Sequence, residues 1–160
     1  MSWHVLHLRS RSEKKVAELC EIRGLEYYLP LRSETKIYQR RKVTVEKPMF
    51  PGYFFVSFEP DDRVHLLQTN HVINVLVPPS EEVLKHQLDQ IRQALAVDPS
   101  LSTVNAIRAG LRVRIQGGAF MGVEGVVDSA RHPTTVRLNV ELIGQAVAVD
   151  IDRDYVELID

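Results

Sequence analysis

The chain has 160 residues, 44% apolar and 26% charged, a profile of a soluble globular protein with room for one ordinary domain or two small ones. No apolar run approaches the roughly 20 residues that span a membrane and no secretory signal opens the chain, so a cytoplasmic protein is expected; the single Cys20 excludes an internal disulfide and a cysteine-cluster metal site. The formal net charge of -1 hides an asymmetry, because residues 1–78 carry 12 Lys/Arg against 9 Asp/Glu and residues 79–160 carry 8 against 12, which suggests different partners for the two halves.

Trp3 to Arg9 reads as a strand, with Trp3, Val5 and His7 on one face and His4, Leu6 and Leu8 on the other. His4 and His7 then point opposite ways and cannot clamp one metal. A helix follows, with Ser10 and Glu13 as a possible capping box, Ser12 as the alternative cap, and Gly24 as its stop. Val16, Leu19 and Cys20 fall on its apolar stripe, so Cys20 reads as a core thiol and not a nucleophile. Glu26 to Leu31 is a second strand. Lys36 to Val45 is a hairpin with Gln39, Arg40, Arg41 and Lys42 at its tip. A basic tip is commonly just solvated. Together with Arg9, Arg11, Lys14 and Lys15 at the first strand–helix junction it can also touch phosphates, provided both lie on one side.

Pro48, Pro51 and Gly52 set the entry to a strand from Tyr53 to Phe58 that is aromatic and β-branched. Phe54, Val56 and Phe58 share one side, Tyr53, Phe55 and Ser57 the other, and the strand is apolar on both until Ser57. Either the protein covers both faces, or one is kept for a partner. Asp61 to Thr69 reads as a short helix, and Val72 to Val77 as a strand ended by Pro78 and Pro79. The order strand–helix–strand–strand–helix–strand predicts an α+β sandwich of ferredoxin-like kind.

Ser80 to Ala96 is a further helix with Val83, Leu84, Leu88, Ile91 and Leu95 on one face. Residues 97–108 read as a linker between a domain at 1–96 and a second at 109–160. In the second, apolar positions alternate through five short strands: Leu111 to Ile115, around Val126, Val136 to Val140, Val147 to Ile151, and Val156 to Leu158. With glycines between them they predict a small all-β, SH3-like barrel. Gly117, Gly118, Gly122, Gly125, Pro133 and Gly144 interrupt any long helix there.

No catalytic constellation is present. There is no P-loop, no paired-carboxylate motif and no nucleophile beside a base, and His65, His71, His86 and His132 lack ligand spacing. A non-enzymatic protein without cofactor or metal is expected.

Trp3 in the opening strand, the Arg-Ser-Glu-Lys-Lys-Val helix start, Tyr28-Leu-Pro and Lys-Pro-Met-Phe-Pro-Gly-Tyr-Phe-Phe-Val resemble the N-terminal domain of the NusG family of transcription elongation factors. Gly110 to Val127, with Gly117-Gly118-Ala-Phe120-Met-Gly122, is similar to the KOW motif of that family's C-terminal domain. The resemblance implies that His7, Phe50, Tyr53 and Phe55 form an apolar patch on the clamp helices of RNA polymerase. It implies that Arg9, Arg11, Lys14, Lys15, Arg40, Arg41 and Lys42 hold the non-template DNA strand. It also implies antitermination, with a small-subunit ribosomal protein recruited through Phe120, Val123 and Ile143 of the KOW barrel. Valine and isoleucine at two of those places, where housekeeping members carry aromatics, argue against Rho and toward specialised RfaH-like paralogues. The threonine-rich segment of RfaH is replaced by His65-Leu66-Leu67-Gln68, which argues against that contact. A monomer is expected, with its barrel all-β, held only by the linker, and its aromatic patch open. The alternative is a ribosome- or RNA-binding module working through the KOW barrel, against which the acidic second half argues.

Overall fold

The computed structural model describes residues 2–107, 109–128 and 132–159. Met1, Arg108 and Asp160, at which three expected boundaries fall, and the side chains of His132 and Pro133 lie outside the described residues. In chain order the elements are β1 (Ser2–Leu8), α1 (Glu13–Arg23), β2 (Tyr27–Tyr28), β3 (Leu31–Tyr38), β4 (Arg41–Pro48), β5 (Tyr53–Phe58), α2 (Pro60–Leu67), β6 (Val72–Leu76), α3 (Glu81–Val97), β7 (Ser102–Asn105), β8 (Leu111–Ile115), β9 (Glu124–Asp128), β10 (His132–Val140), β11 (Gln145–Asp150) and β12 (Val156–Leu158). They form two compact units. The first takes the chain up to Leu31 and from Pro48 to Lys85; the second takes Arg32 to Lys47 and the chain from His86 onward.

The first unit is a mixed α/β structure around a four-stranded sheet in the order β2-β5-β1-β6, antiparallel throughout. Without the β3–β4 hairpin, the strands run fourth-first-third-second, the order that a strand–helix–strand–strand–helix–strand chain gives when each helix returns over one face. Val16 and Cys20 of α1 and Leu66 of α2 pack with Leu6, Leu8, Phe54, Val56 and Phe58 of the sheet. α1 stops at Gly24, whose left-handed φ of 68° lets its own N–H and that of Leu25 turn back to the carbonyls of Glu21 and Cys20.

The expected capping box of Ser10 and Glu13 does not form. Ser12 is the N-cap, without a side-chain bond to the helix. Glu13 is instead buried, and its Oε2 accepts the Gly52 N–H at 3.1 Å, tying the start of α1 to the turn before β5.

Pro78 and Pro79 end β6 opposite Val5, so the Trp3 N–H has no strand partner on that side, and Glu81 accepts it at 2.8 Å. Val83, expected on the apolar face of α3, is exposed, whereas Leu84, Leu88, Ile91 and Ala94 are buried.

The second unit holds a six-stranded antiparallel sheet in the order β12-β8-β9-β10-β11-β7. The five expected strands are all present, and β7 is an addition. It lies within residues 97–108, expected to be a linker, and pairs with β11 from Ser102↔Ala148 to Asn105↔Gln145. Asn139 explains why the chain after β7 is held. Its buried side chain accepts from Ile107 N at 3.2 Å and donates to Ile107 O at 2.7 Å, a two-point clasp that replaces a strand pair.

The division between the units falls inside α3, between Lys85 and His86, and the second half of the helix belongs with the six-stranded sheet.

Candidate functional site

The face of the four-stranded sheet turned away from α1 and α2 carries the expected aromatic residues. Cross-strand register sets them in rows: Val5 beside Phe55 and Leu76, and His7 beside Tyr53 and Asn74. His7 stacks on Tyr53, with ring centroids 5.1 Å apart and planes 16° from parallel, and both residues are half-buried. A bulge between His7 and Leu8, where the register skips Ile73, breaks the β1–β6 pairing beside this pair. Gly52, at φ 86°, makes the turn that brings the pair together, and its carbonyl accepts the Leu8 N–H at 2.7 Å.

Phe50 and Phe55 differ from the expectation of an open patch. Their side chains are 1% and 0% exposed, packed edge to face with centroids 6.4 Å apart. β5 lies inside the sheet between β2 and β1, and Phe54, Phe55 and Phe58 on its two faces are buried, as a strand apolar on both sides requires. Of the four residues, His7 and Tyr53 reach the surface and Phe50 and Phe55 are buried.

Arg9, Arg11, Lys14 and Lys15 are all exposed around the start of α1. Arg9 is fixed there, its Nε donating to Asn70 O at 2.8 Å and its backbone N–H to His71 O. Arg40, Arg41 and Lys42 are exposed at the β3–β4 tip, where Gln39 and Arg40 make a two-residue turn at φ 46° and 67°. The two basic clusters belong to different units.

In the second unit, Phe120 and Ile143 are half-buried and Val123 is 2% exposed. Phe120 and Val123 lie on the β8–β9 connection, Ile143 on the short turn Glu141–Ile143 between β10 and β11. Two glutamines of α3 meet these loops. Gln90 accepts the Glu124 N–H at 2.8 Å, and Gln87 accepts the Glu141 N–H at 3.2 Å. Residues three apart are neighbours on a helix surface, so the two loops stand side by side along α3. Sequence reasoning missed these glutamines. The signal was there, because Gln87 and Gln90 interrupt the apolar positions Leu84, Leu88 and Ile91.

Among the described residues no group of three His, Cys, Asp or Glu side chains could hold a metal ion, and no helix is long and apolar enough to cross a membrane.

Residues 1–95 match the family model described as transcription termination factor nusG. The chain is also similar, over 99% of its length, to proteins named transcription termination/antitermination protein NusG. That of Neisseria meningitidis is 24% identical over 178 residues and 98% of it is covered. That of Borreliella burgdorferi is 22% identical over 184 residues, again with 98% covered. That of Rickettsia prowazekii is 20% identical over 177 residues, with 90% covered.

Proposed function

The chain belongs to the NusG family of transcription termination/antitermination factors, and on that premise we propose that it binds the clamp of RNA polymerase and suppresses pausing and termination. It is a transcription factor, not an enzyme. The observation that carries this reading is the family match across residues 1–95, within which His7 and Tyr53 form the part-exposed aromatic pair.

The proposed mechanism is mechanical. The stacked rings of His7 and Tyr53 present apolar faces with polar tips, a chemistry suited to an interface core. A factor that binds the closed clamp more tightly than the open one shifts polymerase away from paused states by that difference in affinity. Arg9, Arg11, Lys14 and Lys15 on one unit and Arg40, Arg41 and Lys42 on the other each offer phosphate contacts to the non-template strand. The C-terminal sheet, as a KOW barrel, recruits a small-subunit ribosomal protein through Phe120 and Ile143, with Val123 beneath. Joining two binding units in one chain raises the effective concentration of the second partner at polymerase. The protein acts as a cytoplasmic monomer.

Single-round transcription with purified polymerase, on a template carrying a pause and a terminator, tests this reading. Added protein should shorten the pause and raise read-through. Unchanged transcripts at protein concentrations that saturate polymerase would contradict it.

A further inference from the structure

β3 and β4 form a two-stranded sheet, and the Thr35 and Thr44 hydroxyls meet at 3.4 Å across it. That contact sets Thr35 opposite Thr44, and counting back along both strands sets Arg32 opposite Lys47. Side chains alternate along a strand, so Arg32, Glu34 and Lys36 lie on the other face from Thr35, together with Lys47. Burial keeps the same alternation here. Glu34 and Lys36 are half-buried, whereas Thr35 and Ile37 are exposed.

Three cations thus share one face with one carboxylate. The carboxylate is taken, because Lys47 Nζ lies 2.8 Å from Glu34 Oε2. Lys36 is left beside a neighbour of its own charge. The Lys47 ammonium, hydrogen-bonded to Lys36, holds Lys36 below the ordinary lysine range, while Lys47, bonded first to Glu34, is pushed up. Of the two amines, Lys36 is therefore the one that gives up its proton first. An amine attacks carbon through a free lone pair, and a neighbouring cation is one way in which a lysine is kept neutral enough to do so.

We propose that Lys36 is a site of acylation by small acyl phosphates, with Arg32 and Lys47 holding the phosphate end of the donor while the Lys36 amine attacks its acyl carbon. The nitrogen lone pair forms the new N–C bond. The bond from that carbon to the phosphate oxygen breaks, and the phosphate leaves with the electron pair and takes up the proton that the nitrogen sheds. The reaction needs a neutral nucleophile and cations where the leaving phosphate gathers charge, and one face of the hairpin supplies both. The product is an uncharged amide. Two cations then face the Glu34 carboxylate in place of three, and the repulsion that Lys36 bears from Lys47 is relieved. Lys42 is the built-in comparison, since its position opposite Ile37 puts it on the other face of the same hairpin.

The test treats the full chain with acetyl phosphate at mildly alkaline pH and follows each lysine by peptide mass spectrometry. Lys36 should acetylate several-fold faster than Lys14, Lys15, Lys42 and Lys85, although all four are more exposed. Arg32→Gln should slow Lys36 toward acetyl phosphate and leave its rate with acetic anhydride, an uncharged donor, unchanged. Lys47→Gln should slow both reactions, because it removes the neighbour that keeps Lys36 neutral. In guanidinium, which unfolds the chain, the lysines should react alike. A Lys36 rate no higher than that of Lys42 overturns the proposal, as does a Lys36 preference that survives unfolding. Equal slowing of both donors by Arg32→Gln, or no slowing of either, overturns the phosphate-holding role.

Discussion

Glu13 Oε2 accepts the backbone N–H of Gly52 at 3.1 Å, a bond that links the first turn of α1 to the turn that launches β5. The carboxylate is buried, and the turn that it holds presents Tyr53 to His7. Glu13→Ala leaves the Gly52 N–H without its acceptor, at a cost of about 1–3 kcal/mol. Glu13→Gln keeps an acceptor oxygen and should recover most of that. Urea unfolding of the three proteins measures the difference, and equal midpoints for all three would show that the bond carries no stability.

Cys20 is fully buried against the sheet, and burial, with the Glu21 carboxylate adding to it, pushes its thiol up to about 11. At pH 8 only about one part in a thousand is then thiolate, the reactive form. The folded protein should resist alkylation at pH 8 and label once unfolded. The raised value also fixes a sign. Stability from keeping the thiol neutral is present in full below the ordinary thiol value of 9.0 and is lost as pH rises toward 11. Cys20→Ala should remove that alkaline decline. Rapid labelling of the native protein would contradict the buried position.

Gly125 sits in β9 where a Cβ would fall 2.6 Å from Val136 Cγ1 and 2.7 Å from the Arg137 carbonyl oxygen. The carbonyl is backbone and cannot swing away, so Gly125→Ala must push β9 and β10 apart. The expected cost is about 1–3 kcal/mol of stability in the second unit, read by thermal unfolding. An unchanged melting temperature would mean that the strands are not so closely paired.

Element order was legible because each strand and helix carries its own period and its own stop. Gly24 ended α1, Pro78 and Pro79 ended β6, and alternating valines marked five strands of the second sheet. Three features were not legible, each for a physical reason. β7 has no apolar alternation, since Ser102-Thr-Val-Asn is mostly polar, and it forms because β11 offers an edge and Asn139 clasps Ile107. The burial of Phe55 depends on what covers the second face of the sheet, which a strand apolar on both sides cannot declare by itself. Glu13 looked like a helix cap because capping is a local pattern, whereas its partner Gly52 lies 39 residues away.

The central claim is that the His7–Tyr53 pair, not the buried Phe50 and Phe55, meets polymerase. The most direct measurement is the affinity of purified RNA polymerase for Tyr53→Ala and Phe55→Ala, with unfolding free energies taken on the same samples. Tyr53→Ala should lose about 2 kcal/mol or more of binding with little loss of fold. Phe55→Ala should instead lose about 3–5 kcal/mol of stability, as a buried phenylalanine does. Full polymerase affinity in a folded Tyr53→Ala protein would contradict the claim.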